Sequence, residues 1–349
     1  MRLLKTIGAL LSAALLLFAT FLVFSTLSWY DPPQKINLAE NSFPDTIRCD
    51  STISILSWNI GYAGLGDNMD FFYDGGQKVH DTKERVLVNL DSINRFLKRN
   101  SGHSFIFLQE LDLKSKRSHH INQMDTLLAQ TNWNAAFAPN YAVKYVPIPP
   151  RSPMGQVTSG IMSLSKYAPK SSSRHGYPGT FGWPSRLFNL RRCMIANIYP
   201  TNNGKELIMI NTHNSAFDDG SLKKQEMQYL KDFALSEYKK GNYVVAGGDW
   251  NQTPPGFPLT QFGENYQTKF FILTNIAADF MPIGWKWAFD PEHPTNRYLN
   301  ESYQPGKTFR CLIDFFLVSP NVEVVQSKTI DLNFRNSDHN PVTMNFKLK

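Results

Sequence analysis

Residues 247–256, GGDWNQTPPG, set a carboxylate and a carboxamide, Asp249 and Asn251, two positions apart. In an extended chain such neighbours point the same way, and together they can hold a metal or a water and position a phosphate oxygen. The same residues also cap the backbone of solvated turns, so the pair gains meaning only from the rest of the chain. Other polar side chains fall in comparable places. Asn59 closes the apolar run TISILSWNI, Glu110 lies near the end of SFIFLQELD, and His213 follows ELIMIN. Asp314 interrupts TFRCLIDFFLVSP, where a carboxylate is costly unless it is paired. Asp338 and His339 precede one last alternating run. Oxygen donors of this kind suit a hard divalent cation, and imidazoles beside them suit proton transfer in hydrolysis.

These residues need strands to carry them. Residues 52–60, 104–112, 191–200, 206–211, 242–246 and 308–320 read as strands, and NNGK between the third and fourth has hairpin chemistry. Residues 81–99 carry Val86, Leu90, Ile93 and Leu97 at helical spacing, and residues 221–239 carry Leu222, Met227, Leu230, Phe233 and Ala234. The basic and histidine run from Lys114 to His120 reads as the solvated start of a helix continuing through 123–131, with His119 and His120 not metal ligands. Residues 140–184 read as loop-rich around one strand, TSGIMSLSKY; Arg151, Arg174 and His175, with Arg186 just beyond, read as surface charge, contact with a phosphate or head group being the alternative. Trp285, Trp287 and Phe289 alternate beside Lys286, His293 and Arg297. Such a loop can stack bases, grip sugars or meet a lipid interface; it can equally pack onto the body.

The chain has 349 residues and a net charge of +7, a mild bias toward anionic partners. Its three cysteines, Cys49, Cys193 and Cys311, form neither a disulfide framework nor a zinc pattern. Residues 7–30 run without a charge after a basic tip, long enough to cross a bilayer as a helix. Residues 1–30 are therefore expected to be an anchor with the bulk of the protein extracytoplasmic, periplasmic or extracellular; a cleaved signal would make it secreted. Residues 31–50 read as a polar tether, and residues 51–349 as one domain of two facing sheets with helices outside.

The segments SWN, LQE, THNS, GDWN, IDFFLVS and SDHNPV, in that order, resemble the endonuclease/exonuclease/phosphatase superfamily over nearly the whole globular part. The resemblance implies a DNase I-like four-layered α/β sandwich with mixed sheets, and dependence on Mg²⁺, with Mn²⁺ as a substitute. It implies Glu110 as the main metal ligand, Asn59 completing that site and Asp338 beside it. It implies Asp249 as the residue that orients or deprotonates water, and Asn251 as the amide holding phosphate and that aspartate. His339 is implied to pair with Asp314, and His213 to stabilise phosphoryl oxygens or help the leaving group. Two departures stand out. Gly61 lies where abasic-site nucleases of the family carry an acid, and Trp250 where Phe or Leu is usual. The expected function is hydrolysis of a phosphodiester by water, with a membrane-lipid head group ahead of a nucleic acid. An extracytoplasmic endonuclease and an inert membrane-tethered binding module are the alternatives, and no protein partner is inferable.

Overall fold

The computed structural model describes residues 1–129, 131–216, 218–263 and 272–349. Its helices are α1 (Arg2–Leu27), α2 (Lys83–Arg99), α3 (Gln123–Leu128) and α4 (Ser221–Lys239). The first half holds β1 (Lys35–Glu40), β2 (Ile53–Asn59), β3 (Phe105–Asp112), β4 (Asn134–Val146), β5 (Gly155–Ser165), β6 (Ser171–Gly176) and β7 (Cys193–Pro200). The second holds β8 (Glu206–His213), β9 (Tyr243–Asp249), β10 (Lys286–Ala288), β11 (Asn296–Arg297), β12 (Arg310–Cys311), β13 (Asp314–Val318), β14 (Val322–Thr329) and β15 (Val342–Leu348).

Two mixed sheets face each other, in the orders β1-β6-β7-β8-β9-β13-β10 and β14-β15-β2-β3-β5-β4. Within them β8–β9 and β2–β3 pair parallel and the other pairs are antiparallel. Strand alternation explains the layering. Ile53 and Ile55 of β2, Leu207 and Met209 of β8, and Phe316 and Val318 of β13 meet between the sheets. Their neighbours turn outward: Leu56 and Trp58 pack under α2, while Ile208, Ile210, Phe315 and Leu317 pack under α4. α2 starts at Thr82, whose hydroxyl accepts the Arg85 N–H at 3.2 Å, and ends in Lys98 and Arg99, suited to its negative pole.

Near one end the intersheet core turns polar. Gln109 of β3 donates to the Asn211 side chain at 2.7 Å, and Asn211 of β8 donates to the Met162 carbonyl at 2.9 Å. This buried amide pair joins the two sheets just below the site.

Several expectations are corrected. The supposed tether enters the domain: β1 pairs with β6, and Ile47 is buried in the core. Residues 140–184 hold much of β4, all of β5 and β6, not mainly loop. β6 has no apolar period in SSSRHG, yet its Arg174 and His175 are buried. The Arg174 guanidinium donates to the Pro139 and Arg191 carbonyls, at 3.1 Å each, so a side chain expected at the surface is held inside by backbone oxygens. Arg117 is likewise buried: it pairs with Asp112 at 3.0 Å and lies 3.7 Å over the Tyr62 ring. The run around it is a short 3₁₀ turn separate from α3, and no continuous helix joins them. The 285–289 aromatics lie partly buried against the α4 side of the core, with Trp287 edge-on to Trp250 at 5.4 Å. That contact explains Trp250 as a packing residue.

α1 has a mean hydropathy of 2.5 over its most apolar window and is exposed there. By length and composition it can cross a membrane.

Candidate active site

The site lies where the strands of both sheets end. On the first sheet, register puts His213 beside Asp249 and Asp249 beside Asp314, on three neighbouring strands. All three continue the inward-facing parity of their strands, so a polar row follows directly on the apolar intersheet core. Gly248 allows this close approach: its φ is +143°, and a Cβ there would lie 2.0 Å from the Thr212 carbonyl oxygen.

The facing sheet supplies Asn59 from the end of β2 and Glu110 from β3. Alternation alone would send Glu110 outward with Ile106 and Leu108. A register shift between Leu108 and Leu111, with Glu110 at φ 53°, breaks the alternation and brings its carboxylate to within 3.8 Å of His213. Asp338 and His339 come from the loop before β15. The Trp58 indole donates to the His339 carbonyl at 2.9 Å, and Ser337 donates to the Asn59 carbonyl at 2.8 Å, fixing that loop to β2.

Asp249 is the hub. Its Oδ2 accepts from the Asn59 amide at 3.0 Å and lies 3.4 Å from His213 Nε2 and 3.7 Å from His339 Nε2. Its Oδ1 accepts from the Asn251 backbone N–H at 3.0 Å. Asn251 is left-handed at φ 51°, so the two side chains are related by a tight turn and not by extended alternation; the Asn251 amide donates to the Asn214 carbonyl at 2.9 Å. His339 Nδ1 donates to Asp314 Oδ2 at 2.8 Å, and its Nε2 lies 3.0 Å from the Asn296 carboxamide and 3.9 Å from Asp338. Thr295 Oγ accepts the Asp314 backbone N–H at 3.0 Å.

The electrostatics set the two histidines apart. Burial would lower the His339 imidazole, but Asp314, Asp338 and Asp249 outweigh it and hold its pKa up at about 10. His213 is pushed well below its usual value by burial, then by Arg192 and His339. Burial raises Asp249 and Asp338 to about 6 each, with Asp314 adding to the first and Glu110 to the second.

Glu110, His213, Asp249, Asn251, Asp338 and His339 line a cavity of about 190 Å³, together with Arg117, Arg192 and an apolar wall that includes Leu65, Met154 and Leu190, while Asn59 and Asp314 support it from behind Asp249 and His339. Asp249, Asp314 and His339 offer ligand atoms within 4.8 Å of one another, a set that could hold a divalent cation. The donor chemistry fits Mg²⁺ or Mn²⁺: crowded carboxylates, two of them raised in pKa by burial and like charge, are what a divalent ion neutralises.

All eight residues singled out in the sequence therefore converge. Arg117, Arg192 and Asn296 were not expected there. Arg117 and Arg192 carried no signal separating them from surface charge, and Asn296 stood in a loop weighed for its aromatics. Lys286 is exposed and His293 pairs with Asp290 at 3.1 Å, outside the cleft.

The sequence matches the description Endonuclease/Exonuclease/phosphatase family over residues 56–339. No curated protein matches it. Among solved structures, an endonuclease/exonuclease/phosphatase from Beutenbergia cavernae is 17% identical, over 85% of this chain and 72% of that one, with a TM-score of 0.57. The human Nocturnin catalytic domain with bound sulfate is 13% identical, over 91% and 99%, with a TM-score of 0.52. ANGEL2, a 2′,3′-cyclic phosphatase in complex with adenosine-2′,3′-vanadate, is 13% identical, over 85% and 96%, with a TM-score of 0.53. At these identities the likeness is one of fold.

Proposed function

Because the chain belongs to the endonuclease/exonuclease/phosphatase family, we propose that its cleft hydrolyses a nucleotide or nucleic-acid phosphoester by direct attack of water. It is a metal-dependent phosphoesterase. The observation that carries the mechanism is the hub at Asp249, held by Asn59 and Asn251 and faced by two histidines, His213 at 3.4 Å and His339 at 3.7 Å, whose surroundings push their pKa values in opposite directions.

In this reading Asp249 orients the attacking water and accepts its proton, since a carboxyl raised to about 6 is basic enough to do so near neutrality. His339, kept cationic by Asp314, supports the charge gathering on the phosphoryl oxygens. His213, kept neutral, offers one N–H toward the phosphoryl group or the leaving oxygen, and Asn251 steadies Asp249 and the phosphate. Glu110, Asn59 and Asp338 are the residues we assign to the cation. Asp314 and His339 already satisfy one another at 2.8 Å, whereas Glu110 is the more exposed carboxylate, with 26% of its side chain accessible. The bound ion would neutralise phosphate charge in the transition state. Configuration at phosphorus inverts in such a single displacement, and retention with a chiral thiophosphate would exclude it.

The nucleotide reading is supported by the adenosine-2′,3′-vanadate held by ANGEL2 on a similar fold, and by the basic balance of the chain. A lipid phosphodiester is the second reading, favoured by the contact of Phe21 of α1 with Tyr145 and Phe188, whose segments also give Met154, Asn189 and Leu190 to the cleft wall. The full chain in detergent, metal-free and then with Mg²⁺ or Mn²⁺, decides between them. Nicking of plasmid DNA or opening of nucleoside 2′,3′-cyclic phosphate, lost in Asp249→Asn, supports the first. Head-group release from sphingomyelin or phosphatidylinositol vesicles without nucleotide turnover supports the second. No metal-dependent hydrolysis of either, or of an activated diester, would leave an inert tethered module.

A further inference from the structure

The last turns of α1 are docked on the domain. Phe21 stacks on Phe188 at 5.7 Å and meets Tyr145 edge-on at 6.1 Å, and Thr26 accepts from the Trp183 indole at 3.3 Å. Below them the exit is fixed by charge: Trp29 lies 4.5 Å from the Arg186 guanidinium, and Arg191 pairs with Asp31 at 2.8 Å. Past the basic tip that ends at Lys5, residues 6–20 remain free of these contacts. At about 1.5 Å per residue they span roughly 22 Å, short of the roughly 30 Å of a bilayer hydrocarbon core. A bilayer with that tip at its inner boundary reaches past Phe21, to the level of the residues that touch α1.

Those residues belong to two segments, 141–154 and 181–192, whose composition suits that depth. Tyr145, Ile148 and Trp183 are exposed on them. Neither segment has an acidic residue, while together they carry Lys144, Arg151 and Arg186 besides Arg191, which pairs with Asp31, and Arg192, which lines the cleft. Aromatic rings with an excess of positive charge match the headgroup region of an anionic leaflet.

We infer that the face made by residues 141–154 and 181–192 seats on the bilayer that α1 crosses, so that the domain rests on the lipid surface instead of hanging free from a stalk. The same segments supply Met154, Asn189 and Leu190 to the cleft wall, so the rim of the cleft lies at that surface. The inference stands whichever phosphoester is hydrolysed.

The test uses the full chain reconstituted in phosphatidylcholine and phosphatidylglycerol vesicles, in a Cys49→Ser background. A fluorophore is attached in turn through Leu16→Cys, Ile148→Cys, Ser185→Cys and Ile283→Cys. Ile283 is fully exposed, and the Gly284 beside it abuts Pro320 past the end of β13 remote from the site. Brominated lipid should quench the labels at 16, 148 and 185 and leave that at 283 bright. Quenching at 16 with 148 and 185 as bright as 283 would overturn the seating, as would no quenching at any position. Removing phosphatidylglycerol should weaken quenching at 148 and 185 while that at 16 persists; loss at all three, or at none, counts against the basic face.

Discussion

At the scale of single residues, the Asp314 and His339 pair makes the sharpest prediction. Asp314 contributes most among the carboxylates that hold the imidazole up at about 10, so Asp314→Asn should lower its pKa. The basic limb of the kcat/KM profile should move to lower pH, and kcat should fall by roughly 10²–10⁴, read with an activated diester. An unmoved basic limb would mean that His339 does not act as a cation. His175 makes a second prediction, on stability. Burial, then Lys35 and Arg174, lower it to about 4 in the folded chain, against about 6.5 unfolded. The unfolded chain therefore binds the extra proton between those values, and stability is lost as pH falls from about 6.5 to about 4, by roughly 3 kcal/mol. His175→Gln should flatten that slope in urea melts at several pH values. Residue types at strand ends made the site legible from sequence, because carboxylates and imidazoles there have few structural uses. Arg117 and Arg174 were not legible: a buried guanidinium is betrayed only by its partners, Asp112 and two carbonyls, which lie on other strands or in loops.

At the scale of elements, strand parity did most of the positioning. Inward parity carried through β2, β8, β9 and β13 sends Asn59, His213, Asp249 and Asp314 to one site, and the apolar alternation that reveals it is visible in the sequence. Glu110 is the exception, because a bulge is a property of the pairing and leaves no mark on composition. β4 and β6 were missed for a related reason. β4 lies at a sheet edge and contains Pro139, and β6 is polar throughout, so neither has a clean period of two. Gly248 tests the row of acids and histidines directly. Since a Cβ would lie 2.0 Å from the Thr212 carbonyl oxygen, Gly248→Ala must part β8 from β9. Stability should fall by at least about 2 kcal/mol, and kcat should fall further than at a distant site of equal thermal cost. A variant with parent-like melting and kcat would refute the close packing.

At the scale of the whole molecule, the site gathers Glu110, Asp249, Asp314 and Asp338 at one end of the intersheet core. Such crowding costs stability unless a cation relieves it. Addition of Mg²⁺ or Mn²⁺ to metal-free protein should stabilise it by about 2.7 kcal/mol at a hundred times Kd, and Glu110→Gln should reduce the gain, both measured as a shift in Tm. An equal gain in the variant would move the ion away from Glu110. The sandwich and the convergence of the site were legible at this scale because six short segments kept their order across the chain. The seating of α1 was not, since the contacts of Phe21 and Thr26 join residues more than a hundred positions apart.

The amide bridge between Gln109 and Asn211 has a consequence for how the enzyme fails. Each sheet carries half of the machinery, Asn59 and Glu110 on one and His213, Asp249 and Asp314 on the other. Side chains such as Ile55 and Met209 would tolerate a slight slide of one sheet over the other, but paired amides would not. Catalytic competence is then a property of sheet docking, with its own melting point. On heating, turnover should vanish at a lower temperature than the far-ultraviolet signal of the strands, and Gln109→Leu should widen that gap.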